Sequence, residues 1–110
     1  MPEQELDRID ITLYLFKSGY TLSLLRNEPV LEHKLQKNLF SKYKIDASFQ
    51  GLPLIDREVP GKPNVIKWLG YCGVDPGDTQ RVGGRDKIIE IVRENLKDCF
   101  SKEYVDSEIR

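Results

Sequence analysis

Residues 9–16 read Ile-Asp-Ile-Thr-Leu-Tyr-Leu-Phe, and no other stretch restricts the fold as strongly. Ile9, Ile11, Leu13 and Leu15 alternate with Asp10, Thr12, Tyr14 and Phe16. Period-two spacing in β-branched and aromatic residues predicts a strand, because successive side chains leave a strand on opposite faces. Tyr14 and Phe16 make the second face partly apolar, so the pattern predicts a central strand covered on both sides.

Lys17-Ser18-Gly19 ends that strand in a turn. Leu31, Leu35 and Leu39 then recur at i, i+4 and i+8, with Phe40 and Tyr43 nearby, which predicts a helix over residues 30–43. Asn27 and Pro29 suit its cap and first turn. Residues 20–26 fit either a hairpin strand or an earlier helical turn kinked at Pro29. Residues 44–51 alternate as a strand, and residues 52–63, with three prolines and a glycine, read as a loop. Residues 64–74 are apolar and bounded by Pro63, predicting a strand; residues 75–78 read as a turn and residues 79–82 as a short strand. Ile88, Ile89, Val92, Leu96, Cys99 and Phe100 line one face of a helix over residues 86–100. Residues 1–8 and 101–110 are polar and are expected to be flexible.

A chain of 110 residues forms one domain with one core. Its formal net charge of −1 gives no global reason to expect nucleic acid or a membrane as partner. No apolar run reaches the roughly 18 to 20 residues of a membrane span, and the acidic start is unlike a secretory signal, so a cytoplasmic location is expected. Cys72 and Cys99 are far apart and fit no metal or CxxC spacing, and Cys99 falls on the apolar face of the last helix. With His33 the single histidine, neither a hydrolytic triad nor a zinc site is expected, and no catalytic or metal-binding residue is assigned. The run His33–Lys44 holds Lys34, Lys37, Lys42 and Lys44 and no acid. It suits phosphate contact, with Arg81, Arg85 and Lys87 extending it, or equally a solvated helix face.

Three further pieces fall in a suggestive order. Lys17-Ser18-Gly19 follows the first strand, Pro63 precedes residues 64–74, and Gly83-Gly84-Arg85-Asp86 opens the last helix. This order resembles the glutaredoxins, which place a lysine before their cysteines, a cis-proline before the third strand and a glycine pair with an aspartate before the final helix. The resemblance implies an α/β fold: one small thioredoxin-like (glutaredoxin-like) sandwich over residues 9–100, with a central mixed sheet flanked by helices. It also implies that Lys17, Pro63, Gly83, Gly84 and Asp86 hold glutathione. Physical reasons support such a site, since free N–H groups at a helix start suit an anion and glycines permit close approach. Asp86 is equally a favoured helix cap, with Gly83-Gly84 a plain strand-to-helix turn. The segment lacks the Gly-Lys-Ser/Thr of a P-loop.

Where the resemblance calls for the two redox cysteines, the chain reads Tyr20-Thr21-Leu22-Ser23. Thiol–disulfide exchange needs a thiolate, which neither a phenol nor a hydroxyl replaces. The expectation is therefore a redox-inactive binding or assembly module that contacts a protein partner through Tyr20, Thr21 and Tyr71 and needs no cofactor. One alternative is a glutathione-binding degenerate oxidoreductase. Another is nucleic-acid binding through the basic helix 33–44, which the overall charge disfavours.

Overall fold

The computed structural model describes residues 5–52 and 58–110. Strand β1 (Asp7–Phe16) follows the alternation read from the sequence. Ile9, Ile11, Leu13 and Leu15 are each 2% exposed or less. The chain then turns at Ser18, whose hydroxyl accepts the Thr21 N–H at 3.1 Å. That cap starts helix α1 (Gly19–Arg26), which makes residues 20–26 helical. Helix α2 (Glu28–Tyr43) follows directly, with Pro29 in its first turn, where a missing N–H leaves no bond unmade. Leu31, Leu35 and Leu39 are its buried stripe.

Strand β2 (Ala47–Gly51) leads towards residues 53–57, the part of the expected loop over 52–63 that lies outside the described residues. Strands β3 (Glu58–Val59) and β4 (Lys62–Val74) form a hairpin closed by Pro60 and Gly61, the latter at φ 77° where only glycine sits without strain.

Residues 75–82 depart from expectation. Asp75 accepts the Gly77 N–H at 2.7 Å, Pro76 occupies the first helical position, and helix α3 runs over Pro76–Val82. An aspartate followed by proline serves a helix start as well as a turn, which is why no short strand forms at residues 79–82. Helix α4 (Arg85–Phe100) matches its sequence pattern.

The C-terminal segment also departs from expectation. After one turn of 3₁₀ helix (Ser101–Glu103), strand β5 (Tyr104–Ile109) pairs with β1. Asp10 and Arg110 exchange both backbone bonds, at 3.0 and 2.9 Å. Its polar residues, Asp106 and Glu108, lie opposite Tyr14 and Thr12 and so share their face, while Ser107 lies opposite buried Leu13. The polarity that suggests a loose tail is that of one strand face.

The sheet order is β2-β4-β1-β5, and every pairing is antiparallel. A glutaredoxin-like sandwich would set residues 47–51 parallel to and beside β1. Here β4 pairs with β1 along ten positions and β5 takes the other edge of β1, so β2 is left with the outer edge of β4. The expected mixed sheet is thus replaced by an antiparallel one with split β-α-β, or ferredoxin-like, connectivity.

The helices also do not flank the sheet. Buried side chains of α1, α2 and α4 join those of one sheet face in a single core. Trp68, 1% exposed, anchors it. Its indole lies over the paired glycines Gly51 and Gly70, where an added Cβ would come within 2.4 Å of ring carbons at either position. Asn95 of α4 donates to the Leu35 carbonyl of α2 at 3.1 Å and ties the two long helices. Among the described residues, no helix lies on the opposite sheet face.

Candidate functional site: the open sheet face

The structure separates the residues expected to hold glutathione. The Lys17 N–H donates to the Asn64 carbonyl at 2.7 Å, which places Lys17 beside Pro63 where β1 ends and β4 begins. The Lys62–Pro63 peptide is trans. Gly83 and Gly84 join α3 to α4 with φ of 116° and 114°, left-handed values that favour glycine. Asp86 lies in the first turn of α4. Arg85 donates to the Arg8 carbonyl at 2.9 Å, so this junction sits at the start of β1. Ten residues of strand put about 30 Å between the two groups. Lys17 and Pro63 stay together, Gly83, Gly84 and Asp86 stay together, and the two sets do not meet.

The three residues expected to contact a partner are likewise split. Tyr20 is half exposed on the helical side, where its hydroxyl donates to the Cys99 carbonyl at 3.3 Å. Thr21 is fully buried and accepts from the Ser18 hydroxyl at 3.3 Å. Tyr71 alone reaches the open sheet face. On α2, Lys42 pairs with Asp98 at 2.9 Å and Lys44 stands 5.4 Å from the Phe40 ring, while Arg81 bonds the Tyr43 and Lys44 carbonyls at 3.1 Å each. Arg81 therefore caps the helix C-terminus, where a cation meets unpaired carbonyls and the negative end of the dipole.

Pairing register assembles the open face row by row. Asp106, Tyr14 and Lys67 form one row across β5, β1 and β4. Glu108, Thr12 and Leu69 form the next, extended by Leu52, whose N–H bonds the Leu69 carbonyl at 2.8 Å. Arg110, Asp10, Tyr71 and Gln50 form a third. Phe16 and Val65 close one end. Phe16 is 47% and Leu52 46% exposed. The Arg8 guanidinium lies 4.2 Å from the Tyr71 ring centre and pairs with Asp10 at 2.8 Å, while the Tyr71 hydroxyl donates to Gln50. A groove of about 210 Å³ opens among Arg8, Asp10, Thr12, Leu52, Leu69 and Tyr71.

This arrangement suits binding. An apolar and aromatic centre is framed by cations (Arg8, Lys67, Arg110) and carboxylates (Asp10, Asp106, Glu108). Neither thiol supplies a nucleophile, since burial pushes Cys72 up to about 12 and also raises Cys99, with nearby Lys34 opposing the latter shift. Among the described residues no cluster of His, Cys, Asp or Glu is placed to hold a metal ion, and no helix is long and apolar enough to cross a membrane.

Sequence reasoning misses Arg8, Leu52, Lys67 and Leu69. The signal lies in residues 64–73, where Lys67, Leu69 and Tyr71 alternate with Ile66, Trp68, Gly70 and Cys72. The small inner Gly70 hides that period. Tyr14 and Phe16 are visible as apolar, but their pattern predicts a second covering layer that the described residues do not supply. No protein-family model matches the chain, and no curated protein matches it in sequence.

Proposed function

We propose that this domain is a protein-binding and assembly module whose contact surface is the open sheet face. One observation carries the reading. An antiparallel sheet solvated on one side ordinarily turns polar residues outward, yet here Phe16, Tyr14, Leu69 and Leu52 run across its solvated side. An apolar, aromatic centre inside a rim of mixed charge is the composition of a specific protein interface.

The alternatives draw less support. A glutathione-type site needs groups that lie about 30 Å apart, by the strand rise. A nucleic-acid reading through the basic helix 33–44 finds Lys42 paired with Asp98 at 2.9 Å, and a net charge of −1 gives a phosphate backbone little attraction.

The test is a photoreactive phenylalanine analogue placed at residue 16, with a control at Arg93, half-buried on the helical side. Cross-links to a protein chain from residue 16 and none from residue 93 are expected. Cross-links from residue 93 alone, or from neither, contradict the proposal.

A further inference from the structure

We infer that the open face pairs with the open face of a second copy of this chain, related by a two-fold axis running along β1; this rests on the binding role proposed for that face. The argument is one of self-complementarity. A two-fold contact is isologous, so each residue must meet its own reciprocal partner.

The row Asp106–Tyr14–Lys67 has an acid and a base on either side of a ring, each one strand away. Rotation about an axis through Tyr14 sets Lys67 of each copy over Asp106 of the other, with the Tyr14 rings meeting between them. The row Arg110–Asp10–Tyr71 behaves in the same way, setting each Arg110 over a Tyr71 ring. Phe16 meets Phe16 at the end of the axis. Leu69 meets the aliphatic stem of Glu108, whose carboxylate lies 3.9 Å from Arg110. Two like charges meet on the axis, Arg8 with Arg8 and Asp10 with Asp10, and the Arg8–Asp10 pair at 2.8 Å within each copy offsets one against the other. Two sheets stacked about 10 Å apart leave room for these side chains to interdigitate.

Size sets the strength. With the axis on β1, β4 of each copy faces β5 of the other and β2 faces no strand, so the three paired strands give roughly 350 Å² in projection at the usual spacing and rise. Even with side-chain relief this stays below the lower end of specific interfaces, about 600 Å² per partner. The dimer is therefore weak and reversible.

Sedimentation equilibrium of the full chain from about 5 to about 500 µM tests this. The mass is expected to rise from monomer towards dimer. Lys67→Glu and Asp106→Lys each raise the dissociation constant about tenfold, because each sets like charges face to face. The double variant, which restores both pairs in reverse, returns to within about threefold of wild type. Phe16→Asp stays monomeric, and unchanged urea midpoints show that all variants remain folded.

A wild-type chain that stays monomeric throughout overturns the inference, as does a double variant no better than the singles. If the chain is monomeric but residue 16 still cross-links a different protein, self-pairing falls and the binding role stands. If residue 16 cross-links nothing, both fall.

Discussion

The two faces of β1 are made of interleaved residues on one backbone, yet they do different work. Ile9, Ile11, Leu13 and Leu15 are sealed under the helices, and their partners across β4 include Trp68 and Cys72. Arg8, Asp10, Thr12, Tyr14 and Phe16 meet solvent. The inner face is closed by shape, with an indole pressed onto two glycines, while the outer is mixed in charge and, among the described residues, carries no helix. A strand can thus bury one side and leave the other to solvent, free for the proposed partner, because its side-chain period is two.

If that division is real, substitutions on the inner face cost stability and those on the outer face cost association. Trp68→Ala empties the largest fully buried site and is expected to cost about 3 to 5 kcal/mol in urea denaturation. A loss below about 1 kcal/mol would mean that the inner face does not hold the fold.

The buried thiol gives a pH-dependent effect of nearly that size. The Cys72 pKa rises from 9.0 to about 12 because burial disfavours the thiolate. The folded chain therefore holds a proton that the unfolded chain releases. Its contribution is complete below pH 9 and is lost between pH 9 and about 12, at up to about 1.4 kcal/mol per pH unit. Urea midpoints of wild type should fall more steeply above pH 9 than those of Cys72→Ala. Equal slopes would show that the thiol is not buried in solution.

Gly70→Ala sharpens the comparison on a smaller scale. Its Cβ would stand 2.4 Å from Trp68 Cη2 and 2.7 Å from the Gln50 carbonyl oxygen, and neither ring nor backbone yields easily. A loss of about 1 to 3 kcal/mol is expected, with the thermal midpoint as readout. The smallest effect on folding belongs to the outer face. Phe16→Asp should change stability by less than about 1 kcal/mol while removing cross-linking from the open face. A large loss of stability there would make Phe16 a core residue and erase the contrast.

Much of the local structure is legible in the sequence because periodicity reports burial directly. The stripes Leu31, Leu35, Leu39 and Ile88, Val92, Leu96 declare α2 and α4, and residues 9–16 declare β1. What is not legible is non-local. Nothing in residues 47–51 states that they join β4 and not β1, since that depends on which edges other strands have taken. Strand β5 is hidden because an edge strand keeps a polar face, and α3 because Asp75-Pro76 opens a turn as readily as a helix. The same limit governs the site. Gly83-Gly84 and Pro63 each have a clear local role, and only the topology shows that they stand at opposite ends of the sheet. Tyr14 and Tyr71 become part of one surface once β1 and β4 are neighbours.

The most direct test of the division between faces is photochemical footprinting of the chain, dilute and then associated with its partner. Tyr14, Phe16, Leu69 and Tyr71 should lose labelling on association, while exposed residues of α2 and α4 keep theirs. Protection confined to α2, with the four sheet residues still fully labelled, would contradict a binding role for the open face.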